Sequence, residues 1–198
     1  MNKGLLHYLC ACGLMIGMFA CAKRNFYPDA NRPGLSRLTA HGFNVVTAYI
    51  DGVPYINPFN KLNGNSLPHI GLINTGTSKD TMFIAWNMIP NNLMLSSYVE
   101  EWLTISFPVS KNFTSADILS LKGMRLDSNN AAIQLEEFYD STNIFGTANI
   151  YIVNLTISTK GLLDTVFQCS ALFNGIYGSD TITDGRFDFK FDASDLGY

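Results

Sequence analysis

Arg186-Phe187-Asp188-Phe189-Lys190-Phe191 is the stretch that decides the fold class. Charged and aromatic residues alternate there at period two. Phe187, Phe189 and Phe191 therefore share one face of a strand, and Arg186, Asp188 and Lys190 share the other. Opposite charges along that outer face suit a solvated strand and discourage edge pairing. The same period recurs upstream. Between Thr147 and Ser158, Tyr151, Val153, Leu155 and Ile157 are expected on one face, and Asn154, Thr156 and Ser158 on the other. Phe167, Cys169, Ala171 and Phe173 form an inward set opposite Gln168 and Ser170. Leu103, Ile105 and Phe107 form another opposite Thr104 and Ser106. Shorter candidates are Val45–Ile50, Pro54–Ile56, His69–Ile73, Met82–Met88 and Ala131–Phe138.

Turn residues separate these runs. Asp51-Gly52 lies between Tyr49-Ile50 and Val53-Pro54-Tyr55, the spacing of a two-residue hairpin. Asp184-Gly185, just before the Phe-alternating strand, reads as a hairpin turn or a bulge. Asn63-Gly64-Asn65 and Asn174-Gly175 mark further breaks. One short helix is expected, Ser115–Leu121, with a capping residue in Thr114-Ser115-Ala116-Asp117. The sum is an all-β domain, an antiparallel β-sandwich or open barrel of about 8–10 strands with at most one short helix.

Composition agrees. The chain has 198 residues, enough for one ordinary domain with an appendage. Hydrophobic residues are 47% and charged ones 15%, so the chain has the apolar surface to fold and is not intrinsically disordered. Lys+Arg is 13 against Asp+Glu 16, a net charge of -3, which argues against a nucleic-acid partner. Four cysteines are too few for a disulfide-dense scaffold.

The N-terminus carries a location signal. From Gly4 to Ala20 the chain is apolar or small apart from His7, Tyr8 and its Cys residues. That run is shorter than the roughly 20 apolar residues of a spanning helix and has the form of a signal-peptide apolar region. It ends Gly17-Met18-Phe19-Ala20-Cys21, and the polar Lys23-Arg24-Asn25 follows. A small residue before a Cys at the end of such a run resembles the lipobox of bacterial lipoproteins, with Met18 and Phe19 in place of the commoner Leu and small residue. The resemblance implies a diacylglycerol on the Cys21 thiol and further acylation of its amine, a stable anchor at about 0.8 kcal/mol per buried CH₂. Two alternatives stand beside it: a second lipobox-like stretch, Leu9-Cys10-Ala11-Cys12, and an uncleaved anchor. No Asp follows Cys21, so an inner-membrane retention signal is absent, and Lys23 and Arg24 occupy the place of an acidic surface-export cluster. Outer-membrane attachment facing the periplasm is the expected location, with the cell surface second. The organisation follows: residues 1–20 a signal peptide, 21–42 a lipidated Cys with a flexible tether rich in Pro, Gly and Asn, and 43–198 one β domain.

The ends of the domain carry a family resemblance. Asn44-Val45-Val46-Thr47-Ala48-Tyr49-Ile50-Asp51-Gly52-Val53-Pro54-Tyr55 resembles the opening of a group of small Bacteroidetes envelope lipoproteins of unknown function, a strand followed by V-[ND]-G-x-x-[WY]. Thr181-Ile182-Thr183-Asp184-Gly185-Arg186-Phe187-Asp188 resembles that group's T-I-T-[DN]-G-x-F-D ending. Phe145-Gly146-Thr147-Ala148-Asn149-Ile150 resembles an internal G-T-x-x-I strand, and Thr165-Val166-Phe167-Gln168-Cys169 a G-T-F-S-F strand with Val166 and Cys169 as departures. The resemblance implies a sandwich-like envelope lipoprotein and no particular activity.

Residues that could carry chemistry are few. His41 and His69 have no partner at metal-ligand spacing, so no metal site and no cofactor are expected. Ser66 in Gly64-Asn65-Ser66-Leu67-Pro68 lacks the second Gly of a nucleophile elbow. Cys169 faces the core by alternation, where a thiol is an inert small apolar group. Glu100-Glu101 and Glu136-Glu137 are neighbours, and neighbours on a strand point to opposite faces, so neither doublet is a glycosidase pair by itself. A pair assembled across strands from Glu100, Glu101, Glu136, Glu137, Asp127 and Asp140 keeps an envelope glycan or peptide hydrolase as the alternative function. The acidic series Asp180, Asp184, Asp188, Asp192 and Asp195 reads as a solvated strand face rather than a calcium loop. Tyr98 and Trp102, flanking Glu100-Glu101 where alternation is poor, are the candidate loop-borne ligand-binding surface. Asp followed by Ser or Thr at Thr81, Ser141, Thr165 and Thr181 resembles the acceptor pattern of Bacteroidetes O-glycosylation, and also a turn entering a strand. The reading is a lipid-anchored envelope protein with a binding or structural role. Its expected partners are the membrane, through the lipid, and a glycan or an envelope protein.

Overall fold

The computed structural model describes residues 28–42, 44–57, 68–74, 76–91, 101–137, 143–160 and 165–196. The strands are β1 (Pro28–Asp29), β2 (Arg32–Ser36), β3 (Val45–Ile50), β4 (Val53–Ile56), β5 (His69–Ile73), β6 (Lys79–Pro90), β7 (Glu101–Ser110), β8 (Arg125–Glu137), β9 (Asn143–Lys160), β10 (Thr165–Tyr177) and β11 (Asp180–Asp192). The all-β expectation holds. A nine-stranded antiparallel sheet runs β4-β3-β11-β10-β9-β8-β7-β6-β5, and β1-β2 is a separate two-stranded sheet. β6 also pairs with β4, through Tyr55 opposite Pro90 and Ile56 opposite Ile89. That contact brings the ladder full circle, so the sheet is an up-and-down barrel in which neighbours on the ring are mostly neighbours in sequence. β5 takes the other half of the β6 edge, with Ile70 opposite Ile84.

Local chemistry explains the joints. Asp51-Gly52 joins β3 to β4 as a two-residue turn, both residues at positive φ (48° and 77°), which is the hairpin geometry that matches strand twist. The Asp51 carboxylate also accepts the Thr181 N–H at 2.8 Å and so ties this turn to β11. The expected short helix is a 3₁₀ segment over Ser115–Leu121, with Asp117 accepting the Thr114 N–H at 2.9 Å. A second 3₁₀ turn, Ala193–Leu196, follows β11 and had no clear sequence signal.

Alternation places the interior correctly on β7 and β10: Leu103, Ile105 and Phe107, and Phe167, Cys169, Ala171 and Phe173, are all buried. The Phe187, Phe189 and Phe191 side chains join them. Three sequence expectations need correction. On β9 the buried residues are Ala148, Ile150, Ile152 and Leu155, whereas Ile157 is 43% exposed. A bulge accounts for Tyr151 and Val153, while Ile157 keeps the phase of Leu155 and is exposed opposite Phe167. Ser170 pairs with Asn154 and Ala171 with Ile152, so Val153 has no partner and the inward phase slips by one residue. Asn174-Gly175 is no break, since it lies inside β10 at another register shift. The outer face of β11 is not solvated at its centre, because Arg186 and Asp188 are both buried.

What covers that face is the segment 28–42, which was expected to belong to the tether. Arg186 donates to Asp29 at 2.7 Å and to the Ser36 carbonyl at 3.0 Å. The Asp188 carboxylate accepts the Thr39 hydroxyl, the His41 N–H at 3.0 Å and the Gly42 N–H at 2.7 Å. Leu35 is fully buried, and the Ser36 and Thr47 hydroxyls lie 3.3 Å apart. Buried charges are tolerated only when paired and hydrogen-bonded, and each of these two is satisfied by the strap. The stretch from Pro28 to Gly42 therefore belongs to the fold and not to a free tether. Composition missed this because the strap's own residues are polar, and the partners that hold it lie some 150 positions away in sequence.

Candidate functional site

The barrel encloses a packed core rather than a lumen. Trp86, Phe107, Phe173, Phe187 and Phe189 are among its largest fully buried side chains. Trp86 sits 5.4 Å from Phe173 and 5.7 Å from Phe187, ring centre to ring centre. Small barrels fill this way, and a binding function is then left to the outer wall and the rims. Cys169 belongs to the same core, as expected. Burial, and behind it the Asp188 charge, push its thiol well above the ordinary cysteine range.

The expected site residues are scattered. Cys21, Ser66, Tyr98, Glu100, Asp140 and Ser141 lie outside the described residues. Trp102 is on strand β7, not on a loop. It is half-buried, with its ring tilted 35° against His69 at 5.8 Å. The ladder sets Glu101 opposite Glu137 and Trp102 opposite Glu136. Thr81 and Thr165 are half-buried strand residues, and Thr181 is exposed with its hydroxyl 3.2 Å from Asp51. Asp80, before Thr81, is buried and accepts Lys111 Nζ at 3.1 Å and the Asn112 N–H at 2.8 Å. Its place at the head of β6 is thus explained by the Lys111-Asn112 turn after β7 that it fastens. Among the described residues there is no group of three His, Cys, Asp or Glu able to hold a metal ion.

One surface basin combines features that the sequence reading did not connect. It lies on the outer wall over β8, β9 and β10 and has a volume of about 530 Å³. Its rim is a loop-out in β8. Leu126 pairs with Ile150 and Ala131 with Ala148, so Asp127–Asn130 bows out of the ladder opposite Asn149. Asp127 closes that bow by accepting the Asn129 N–H at 3.0 Å and Asn130 Nδ2 at 2.8 Å. These bonds, the backbone one first, hold its carboxyl below the usual range, so it is an anion. The floor is two cross-strand pairs, Tyr151 with Leu172 and Asn149 with Asn174. The Arg125 guanidinium lies over the Tyr151 ring, 4.3 Å from its centre. Alternation could have found Asn149 and Asn174 on one wall only if the β9 bulge and the β9–β10 register had been known.

Five aspartates, Asp29, Asp51, Asp80, Asp117 and Asp127, have their carboxyls held below the ordinary value. The largest cause is the Lys111 side chain for Asp80 and a backbone N–H for each of the others. A depressed folded pKa means the unfolded chain binds protons first. Their contribution to stability is therefore present above about pH 4 and is lost as pH falls through the folded values. Thermal unfolding followed by circular dichroism is expected to give a midpoint that drops steeply below about pH 4. A midpoint unchanged down to pH 3 would contradict this linkage.

No family model, curated protein or solved structure matches the chain.

Proposed function

We propose that the chain is a lipid-anchored cell-envelope protein that binds rather than catalyses, held through Cys21 to the outer membrane and facing the periplasm. The observation that carries the binding half is the pairing of a filled barrel interior with a polar basin on the outer wall. Gly17-Met18-Phe19-Ala20-Cys21 after an apolar run supports the anchor, and with it membership among the small Bacteroidetes envelope lipoproteins that the domain ends resemble. A hydrolase needs two acids converging on one cleft. Among the described residues Asp127 is the sole carboxylate lining the basin, which favours binding there. The Glu101–Glu137 register is what keeps the hydrolase reading as the alternative.

Metabolic labelling with an alkyne fatty acid tests the anchor. Wild type is expected to take up label and fractionate with the outer membrane, and Cys21→Ser to lose both. Label retained by Cys21→Ser would sink the assignment. Protease shaving of intact cells separates the periplasmic face from the surface. Intact mass on protein from the native host tests Thr81, Ser141, Thr165 and Thr181 as glycosylation sites. A mass equal to polypeptide plus lipid removes all of them.

A further inference from the structure

We infer that the basin over β8, β9 and β10 is a saccharide-binding site, with Asn149, Asn174, Arg125 and Asp127 as its hydrogen-bonding groups and Tyr151 and Leu172 as its apolar bed. This rests on the binding role proposed above and names its ligand class.

The argument starts from what those side chains do without a ligand. Asn149 and Asn174 are exposed and directly opposed across β9 and β10. Directly opposed Cβ atoms on neighbouring strands stand roughly 5 Å apart, so the two amides form one patch. Among the described residues neither amide has a hydrogen-bond partner, and the guanidinium of Arg125 has no carboxylate partner. Arg125 is nevertheless positioned, because its guanidinium carbon is held over the Tyr151 ring by a cation–π contact that uses none of its N–H donors. Asp127 is positioned too: the bonds from Asn129 and Asn130 use Oδ1 and leave Oδ2 as an acceptor.

This combination selects a ligand chemistry. Each amide offers a donor and an acceptor side by side, Arg125 offers paired donors, and Asp127 offers an acceptor. A group that both donates and accepts at closely spaced points satisfies all of them, and vicinal hydroxyls on a sugar ring do so. A simple anion would be repelled by Asp127, and a simple cation by Arg125. Leu172, 38% exposed, gives the C–H face of a ring somewhere to lie between the polar groups. The volume falls within the roughly 300–1,000 Å³ of small-ligand sites. Tyr and Arg are also the residue types that most often dominate binding energy.

The test uses the full-length protein in detergent on an array of neutral and uronic-acid hexasaccharides with peptide controls, followed by calorimetry with the best-bound hexasaccharide. Wild type is expected to bind saturably at least one saccharide class and no peptide. Asn149→Ala with Asn174→Ala is expected to weaken that binding at least tenfold. Both residues are exposed, so this variant should keep the wild-type melting temperature. Tyr151→Phe is expected to retain binding and Tyr151→Ala to lose it. Binding that survives the double amide variant but disappears in Trp102→Ala would overturn the basin assignment while leaving a glycan-binding role intact. Binding of peptides in place of saccharides, or of nothing on the array, would overturn the ligand class. The fatty-acid labelling above decides the anchor independently of either outcome.

Discussion

Gly146→Ala is expected to force β9 away from β10 at the Gly146–Tyr177 end of their ladder and to cost the domain about 3 kcal/mol. Gly146 lies opposite Tyr177, and a Cβ added there would sit 1.8 Å from the Ile176 carbonyl oxygen and 2.6 Å from the Tyr177 Cα. Those are main-chain atoms of the neighbouring strand. Moving them means opening the last pairs of a ladder that runs from Thr165 to Tyr177. A side chain could have rotated away, whereas a strand can only separate. Gly52 is the contrasting case. Nothing lies within 4 Å of its added Cβ, so Gly52→Ala meets only the strain of a left-handed residue, about 1–2 kcal/mol. Urea unfolding of both variants reads the difference. Gly146→Ala within about 0.5 kcal/mol of wild type would show that the two strands are not held as close as described.

Trp86→Ala should lower the unfolding free energy by about 3–5 kcal/mol, against a total of about 5–15 kcal/mol for a domain. The ring is fully buried and stacks its neighbours into one aromatic cluster with Phe173 and Phe187. Removing it opens a cavity that strands pinned on both sides cannot collapse into. For a domain of this size the melting temperature falls by about 10 °C. Trp86→Phe should behave differently. The indole Nε1 is buried with no hydrogen-bond partner, so exchanging it for a phenyl ring keeps most of the apolar contact and removes an unsatisfied donor. The expected cost is about 1 kcal/mol. Equal losses in the two variants would mean that the indole nitrogen finds a partner after all.

The barrel was readable where strands alternate without interruption. β3 and β5 fall on the segments expected, and on β7 and β10 each residue expected inside is buried. Failure came at bulges. The shift at Val153 turned Tyr151 and Val153 outward, because one unpaired residue inverts a period of two and leaves no mark in composition. Ring closure was hidden for a similar reason, since it depends on two pairs between β4 and β6. Two of the motifs that carried the family resemblance have local physical explanations. Gly146 is required by strand approach, and Asp51-Gly52 by the turn. They are marks of the architecture more than of a ligand. The basin was illegible because its amides come from two strands, its acid from a loop-out and its guanidinium from a third strand, related only by register.

The strap over β11 changes the geometry of attachment. Had residues 22–42 been a free leash, about 20 residues at roughly 3.3 Å each would have let the domain roam some 70 Å from the lipid. With the chain fastened from Pro28 onward, only the stretch 22–27 lies between Cys21 and the strap in sequence, a span of at most roughly 20 Å. Were Cys21 acylated as proposed, so short a span would keep the barrel within roughly 20 Å of the lipid. Under that proposal its ligands would be those that come to the membrane, because the barrel could not sweep the space beyond.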